Sequence, residues 1–298
     1  MNAAVVHEAL QVQAAGELAH TALGRCDGRL RLLPAFPDSP YLLADEEIVW
    51  LGRQSGTWHP RRILLAKPRP PGVFGALQVS TKGAGVWHAP PLPRLAPERL
   101  VAGCMTIAAR VADIGTPGGF GLLLAGEKLR FPLDLALARL RALTDAVNSD
   151  DAAEFEAAAL PLLGLGIGLT PSGDDLVGAC LFAHRLRGDC AAWNEAGLRL
   201  TQAAAVRSNR ISAVLFADLA RGNAYAPLHE LANAMAGKAS DLLEAARALT
   251  AIGHSSGWDL LTGFILGASG TIGWSLAANK DCQPIQQYPA AQRLPVRT

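Results

Sequence analysis

Residues Gly164 to Asp175 read Gly-Leu-Gly-Ile-Gly-Leu-Thr-Pro-Ser-Gly-Asp-Asp. Gly164, Gly166 and Gly168 alternate with Leu165, Ile167 and Leu169, so the backbone bends sharply while apolar side chains pin it to a core. Thr170 reads as an N-cap and Pro171 as the first residue of an apolar helix continuing through Leu176 to Leu186. A glycine loop that feeds a helix start gathers unpaired N–H groups at the positive end of a helix dipole, which suits an anion.

The same idea recurs later in the chain. Ser172-Gly173-Asp174-Asp175-Leu176 aligns with Ser256-Gly257-Trp258-Asp259-Leu260, and each copy follows a glycine (Gly168, Gly253) and a hydroxyl residue (Thr170, Ser255). Two helices opening on the same Ser-Gly-x-Asp-Leu can bring their N-termini onto one ligand. The match is short enough for coincidence, and the period is too long and too unrepeated for a solenoid.

Together with Ile211-Ser212-Ala213 and the Gly-His-x-Ser-Gly-x-Asp run from Gly253 to Asp259, the first motif resembles the AllH family, long catalogued as a domain of unknown function. The resemblance extends from about Gly164 to Gly267. It implies a subunit of the oxamate carbamoyltransferase of bacterial allantoin breakdown, moving a carbamoyl group between oxamate or oxalurate and phosphate alongside companion subunits.

The residues of these motifs divide by chemistry. Gly166, Gly168, Thr170, Ser172 and Gly173 are expected to surround phosphate or carboxylate oxygens, although capping alone explains Thr-Pro. Asp174 and Asp175 point roughly 100° apart on a helix, so they cannot both face one ligand. Asp175 aligns with Asp259 and suits paired bonding to loop N–H groups; Asp174 aligns with Trp258 and is the expected catalytic carboxylate. A carboxylate beside an anion cradle implies either Mg²⁺ held by Asp174 or an amide ligand whose NH₂ donates to it. His254, between Gly253 and the Ser255-Ser256-Gly257 turn, is the candidate for proton transfer, with a capping role the plain alternative. Ser208, Asn209 and Arg210 form a third polar helix start, where an arginine offers charge to a carboxylate such as oxamate's.

The remainder of the chain reads as α+β, with a β-rich domain over 1–96 (a small barrel or sandwich), a mainly helical domain over 97–278, and a flexible tail over 279–298. Val5–Leu23 has helical spacing with Gly16 as its weak point, and six short apolar runs between Leu30 and His88 suit strands. Trp50, Trp58 and Trp87 are expected in that domain's core, and His59-Pro60-Arg61-Arg62 in a solvated loop. Pro90 to Pro97 reads as a linker, and Gly115 to Gly121 as a second glycine-rich connector or, less simply, a lid. From Glu98 onward, alanine-rich helical patterns follow one another.

A net charge of +1 argues against nucleic acid or an anionic membrane surface as a partner. Five scattered cysteines without a C-x-x-C pair, and no long apolar run, point to a reducing cytoplasm; Cys104 and Cys180 read as core residues. No Gly-x-Ser-x-Gly elbow or Cys–His arrangement suggests a covalent nucleophile. Two other functions fit the same residues: a non-catalytic anion-sensing or scaffold subunit of a multi-protein enzyme, and Mg²⁺-dependent phosphoryl transfer.

Overall fold

The computed structural model describes residues 9–33, 40–67 and 76–272. Seven strands come first, β1 (Leu10–Gly16), β2 (Arg29–Leu32), β3 (Tyr41–Ala44), β4 (Glu47–Leu51), β5 (Arg62–Leu65), β6 (Leu77–Ser80) and β7 (Gly85–Trp87), with helix α1 (Glu17–Arg25) between the first two. Six of them close into a barrel in the order β1-β6-β2-β3-β4-β5, sealed by an antiparallel β5–β1 pairing. The seventh, β7, lies parallel to β1 outside the ring. Small aliphatic side chains fill the interior, among them Val12, Ala15, Leu30, Leu42, Val49 and Ile63. A barrel, not a sandwich, results because closure pairs the edges that an open sheet would expose.

Three expectations for this domain are corrected. The helix expected over Val5–Leu23 is strand β1 followed by α1; residues 5–8 lie outside the described residues. Gly16 marks the change, because a Cβ there would stand 2.4 Å from the carbonyl oxygens of His59 and Pro60. The tryptophans do not form the barrel core. Trp50 sits with Leu43, Ile48, Ile211 and Leu215 in a cluster joining barrel to helices, while Trp58 and Trp87 stack on each other, half-buried, at 5.9 Å.

Nor is His59-Pro60-Arg61-Arg62 a solvated loop. His59, Arg61 and Arg62 are buried. Arg61 reaches across to the helical domain, donating to both oxygens of Asp218 at 2.5 and 2.9 Å and to Glu47 at 2.9 Å. Arg62 lies 4.5 Å from the Trp58 ring centroid and donates to the carbonyls of Arg53 and Gly56. Arg61 is paired as a buried guanidinium requires, whereas Arg62 keeps its Nε unpartnered and relies on carbonyls and the Trp58 ring.

The helical region contains α2 (Pro97–Ala108), α3 (Val111–Ile114), α4 (Gly121–Leu124), α5 (Leu137–Ser149), α6 (Ala152–Ala159), α7 (Ser172–His184), α8 (Ala191–Arg207), α9 (Arg210–Ala220), α10 (Ala226–Ala234), α11 (Ala239–Thr250) and α12 (Ser256–Ser269). Helix α7 is buried along its whole length and α12 from Gly257 onward. Helices apolar on every face belong at the centre of a domain, and these two form its axis. One apolar cluster, with Leu140, Phe155, Leu200 and Phe216, packs on one side; another, with Leu100, Leu228, Leu243 and Leu261, packs on the other.

Glycines set the spacing of the central pair. A Cβ at Gly263 would stand 2.1 Å from the Leu176 carbonyl oxygen, and one at Gly267 the same distance from that of Cys180. Backbone-to-backbone contact of this kind locks the register of α7 against α12, so the two helix starts come to the same end of the molecule. Cys104 and Cys180 are buried as expected. Helix α12 ends at Ser269 on the left-handed Gly270, and the expected tail over 279–298 lies outside the described residues.

Candidate functional site

The two matched helix beginnings meet. Thr170 Oγ1 and Ser256 Oγ are 2.7 Å apart, although 86 positions separate them in the chain. Beneath this pair lie Asp175, at 6% exposure, and Asp259, at 0%. Each carboxylate keeps one buried oxygen, Oδ2, without a hydrogen-bond partner. Burial raises the pKa of Asp175 well above the ordinary value, and the charge of Asp259 raises it further; the hydroxyls of Ser256 and Thr170 offset this in part. Burial likewise lifts Asp259, to about 6, against the pull of the Phe120 N–H and of the Ser172 and Ser255 hydroxyls. Each motif's first serine therefore acts on the other motif's aspartate: Ser256 on Asp175, and Ser172 on Asp259.

The glycines of the repeat have packing roles. A Cβ at Gly173 would stand 1.9 Å from the Leu162 carbonyl oxygen, and one at Gly257 2.1 Å from that of Leu249. Their N–H groups donate within the protein, Gly173 to Leu165 at 2.9 Å and Gly257 to Ile252 at 3.0 Å. The expectation that these two N–H groups cradle an oxyanion is corrected accordingly. Thr170 and Pro171 also differ from expectation: the helix begins at Ser172, and no side chain caps it.

Asp174 departs furthest from its expected role. Its Oδ1 accepts the Gly164 N–H at 2.7 Å, and its Oδ2 accepts the hydroxyls of Ser208 and, at 2.6 Å, Ser212. It is a buried staple joining the glycine loop to α9, with no oxygen left over for a ligand or for Mg²⁺. Among the described residues, no group of three or more histidine, cysteine or acidic side chains is placed to hold a metal ion. The carboxylates with spare capacity are Asp175 and Asp259, one of which accepts a loop N–H, from Phe120 at 2.6 Å.

The third polar helix start is structural as well. Asn209 caps α9 by accepting from Ile211 and Ser212 at 3.0 and 3.1 Å, and it donates to the Leu169 carbonyl at 2.8 Å. Arg210 turns away to Glu46 of the barrel at 3.0 Å. His254 is exposed and makes no side-chain hydrogen bond among the described residues; Ser255 is half-buried at the α12 start. Gly166 and Gly168 adopt φ of +118° and +108° in an exposed loop whose Ile167 is 89% exposed. These conformations explain the alternating glycines without a ligand.

One segment takes the less simple of its two expected roles, and two residues escaped the sequence. The Gly115–Gly121 segment closes over the site, and Gly119 (φ +54°) leaves no room for a Cβ, which would stand 2.2 Å from Asp259 Oδ1. Tyr41 from β3 and Tyr225, just before α10, lie close enough to Asp175 for its charge to raise their pKa values, behind burial as the main cause. No spacing rule links a barrel tyrosine to a helix start over a hundred residues away.

Residues 162–268 match the family model for AllH, oxamate carbamoyltransferase subunit AllH. The AllH match runs from the last residues before the glycine loop through α12, so it contains both helix starts and leaves the barrel outside. It bears out the resemblance drawn from the Gly164–Asp175 and Gly253–Asp259 motifs. No curated protein and no solved structure matches the chain. No helix among the described residues is long and apolar enough to cross a membrane.

Proposed function

We propose that this chain is a carbamoyltransferase subunit that holds a carbamoyl-bearing ligand at the joined starts of α7 and α12. The observation that carries the reading is the pair of unpartnered buried oxygens on Asp175 and Asp259 beneath the Thr170–Ser256 hydroxyl pair. A carbamoyl NH₂ supplies the N–H donors that unpartnered acid oxygens lack, and its carbonyl accepts from a hydroxyl. The AllH match supports the same chemistry. Entry requires the Gly115–Gly121 segment, which lies against Asp259, to move aside, since both carboxylates are covered.

In this reading the protein positions the ligand and handles one proton. Carbamoyl transfer from oxalurate to phosphate breaks the bond from the carbamoyl carbon to the oxamate nitrogen and forms one to a phosphate oxygen. The departing nitrogen takes a proton. Asp175, whose carboxyl holds its proton well above the ordinary pH range of an aspartate, is the donor, and it regains a proton from the attacking hydrogen phosphate. Hydroxyls of Thr170 and Ser256 stabilise the oxyanion that develops on the carbamoyl oxygen.

Calorimetric titration of the full chain with oxamate tests the site. Saturable binding is expected, weakened at least about tenfold by Asp175→Asn and by Ser256→Ala. Equal binding by wild type and both variants sinks the proposal, provided circular dichroism shows the variants folded.

A further inference from the structure

A second polar cavity lies away from the helix starts, under the segment 89–94 that connects barrel to helices. It encloses about 400 Å³. Arg94, Arg185 and Arg221 line it, against only Glu17 and Asp189 as acids. Both acids are partly committed: Glu17 meets His88 at 2.9 Å, and Asp189 lies 3.6 Å from each of Arg94 and Arg185. Arg185 is held in place by Asn194 at 2.8 Å and the Ala220 carbonyl at 3.3 Å. Arg221 makes no side-chain hydrogen bond or ion pair among the described residues, although its charge is felt by Asp218 and Glu47.

Part of this arrangement has an ordinary cause. Arg185 and Arg221 follow the last residues of α7 and α9, where cations are favoured by the helix dipole. That does not explain why Arg94, from a different segment, faces the same space. It also does not explain His229, which lines the cavity at 1% exposure with neither ring nitrogen in good hydrogen-bond geometry, the Pro90 carbonyl being its nearest acceptor. Its ring is fixed edge-on to Phe182 at 5.2 Å. Burial lowers its pKa to about 4 against a hydrogen bond to the Pro90 backbone and the charge of Glu17, so at neutral pH it carries one N–H and one bare nitrogen. A buried donor left with a poorly aligned acceptor is costly, and a ligand oxygen would satisfy it better.

We propose that this cavity binds a small anionic metabolite through its phosphate or carboxylate group, with Arg94, Arg185 and Arg221 around the anion and the His229 N–H donating to it from the floor. Guanidinium groups converging from three segments suit the several oxygens of such a group. The volume falls in the range of metabolite sites. The inference stands whether or not the helix starts bind a carbamoyl group, because the two sites share no residue.

The test titrates the full chain with inorganic phosphate and, separately, with malonate as a carboxylate probe, while side-chain NMR follows the histidine ring nitrogens. At least one probe is expected to bind saturably and to shift the His229 signal, assigned by its loss in His229→Phe. Arg94→Ala and Arg221→Ala should each weaken that binding about tenfold. Ser256→Ala should leave it unchanged, which separates this cavity from the helix-start site. Tighter binding of phosphate assigns a phosphorylated ligand, and tighter binding of malonate a carboxylate. Absence of saturable binding by both probes overturns the proposal, as does undiminished affinity in the Arg94→Ala/Arg221→Ala double variant.

Discussion

Asp175 on α7 and Asp259 on α12 lie close enough that the charge of one raises the pKa of the other, and both are buried. They occupy the same position of the two Ser-Gly-x-Asp-Leu runs, yet their partners differ. Asp259 accepts a loop N–H from Phe120, while Asp175 leans on the hydroxyls of Thr170 and Ser256. Two buried carboxyls facing one another with spare oxygens are an unfavourable arrangement for stability alone. Such conflicts between local cost and overall fold collect at functional sites.

This pair should shape the pH dependence of stability. Both carboxyls hold their protons more tightly in the folded chain than in the unfolded one, where 3.8 is the ordinary value. As pH rises from about 4, the unfolded chain releases protons that the folded chain keeps, so stability falls through the Asp259 value of about 6. A shift of that size corresponds to about 3 kcal/mol. His184 and His229, lowered to about 4 mainly by burial, work in the opposite sense and lose stability as pH falls below 6.5. Asp259→Asn removes this acid and also relieves Asp175 of its charge: from acid to neutral pH, urea unfolding should show the variant gaining on wild type by about 3 kcal/mol or more. Parallel pH profiles for the two proteins would contradict the burial of Asp259.

Gly119→Ala tests the latch over the site. The added methyl meets Asp259 Oδ1 at 2.2 Å on a backbone with φ +54°, so the Phe120 N–H must leave its acceptor. Loss of about 2 to 4 kcal/mol in chemical unfolding is expected from strain plus the broken bond. A companion Gly126→Ala, also at positive φ (+72°) but with nothing within 4 Å of the added Cβ, carries the backbone cost without the collision and should lose clearly less.

Gly263→Ala should push α7 and α12 apart, because the new methyl would stand 2.1 Å from the Leu176 carbonyl oxygen. Backbone cannot yield as a side chain can, so a loss of about 3 kcal/mol or more is expected in urea unfolding. Since this contact sets the register of the helix starts, oxamate binding should weaken at temperatures where the variant is still folded.

The barrel is tied to the helices through Arg61 and Asp218. Burial works against the charge of Arg61, but Asp218 and Glu47 outweigh it and hold its pKa above the ordinary value. Asp218→Ala leaves that guanidinium buried with one acid at its edge and should cost about 3 to 5 kcal/mol. Arg61→Met/Asp218→Leu should recover much of the loss, as replacement of both charges by apolar groups often does. A double variant no more stable than Asp218→Ala would show that the pair is not the joint.

Much of this protein was legible from residue order. Apolar periodicity marked the chain after Glu98 as a succession of helices, and alternating glycines announced a tight loop before α7, because these features act through local backbone sterics. The repeated Ser-Gly-x-Asp-Leu announced two equivalent helix starts, and the AllH match covers that part of the chain. What the residue order left open was which acid does what. Asp174 and Asp175 are neighbours of identical chemistry, and only the approach of Ser208, Ser212 and the Gly164 N–H consumes the first and leaves an oxygen of the second unpartnered. The same holds for Arg61, which looks like a solvated cation until Asp218, 157 positions away, is beside it. Partners so distant in sequence are chosen by packing, and the closest packing here, Gly263 on Leu176 and Gly267 on Cys180, is a contact between backbones that neither helix specifies alone.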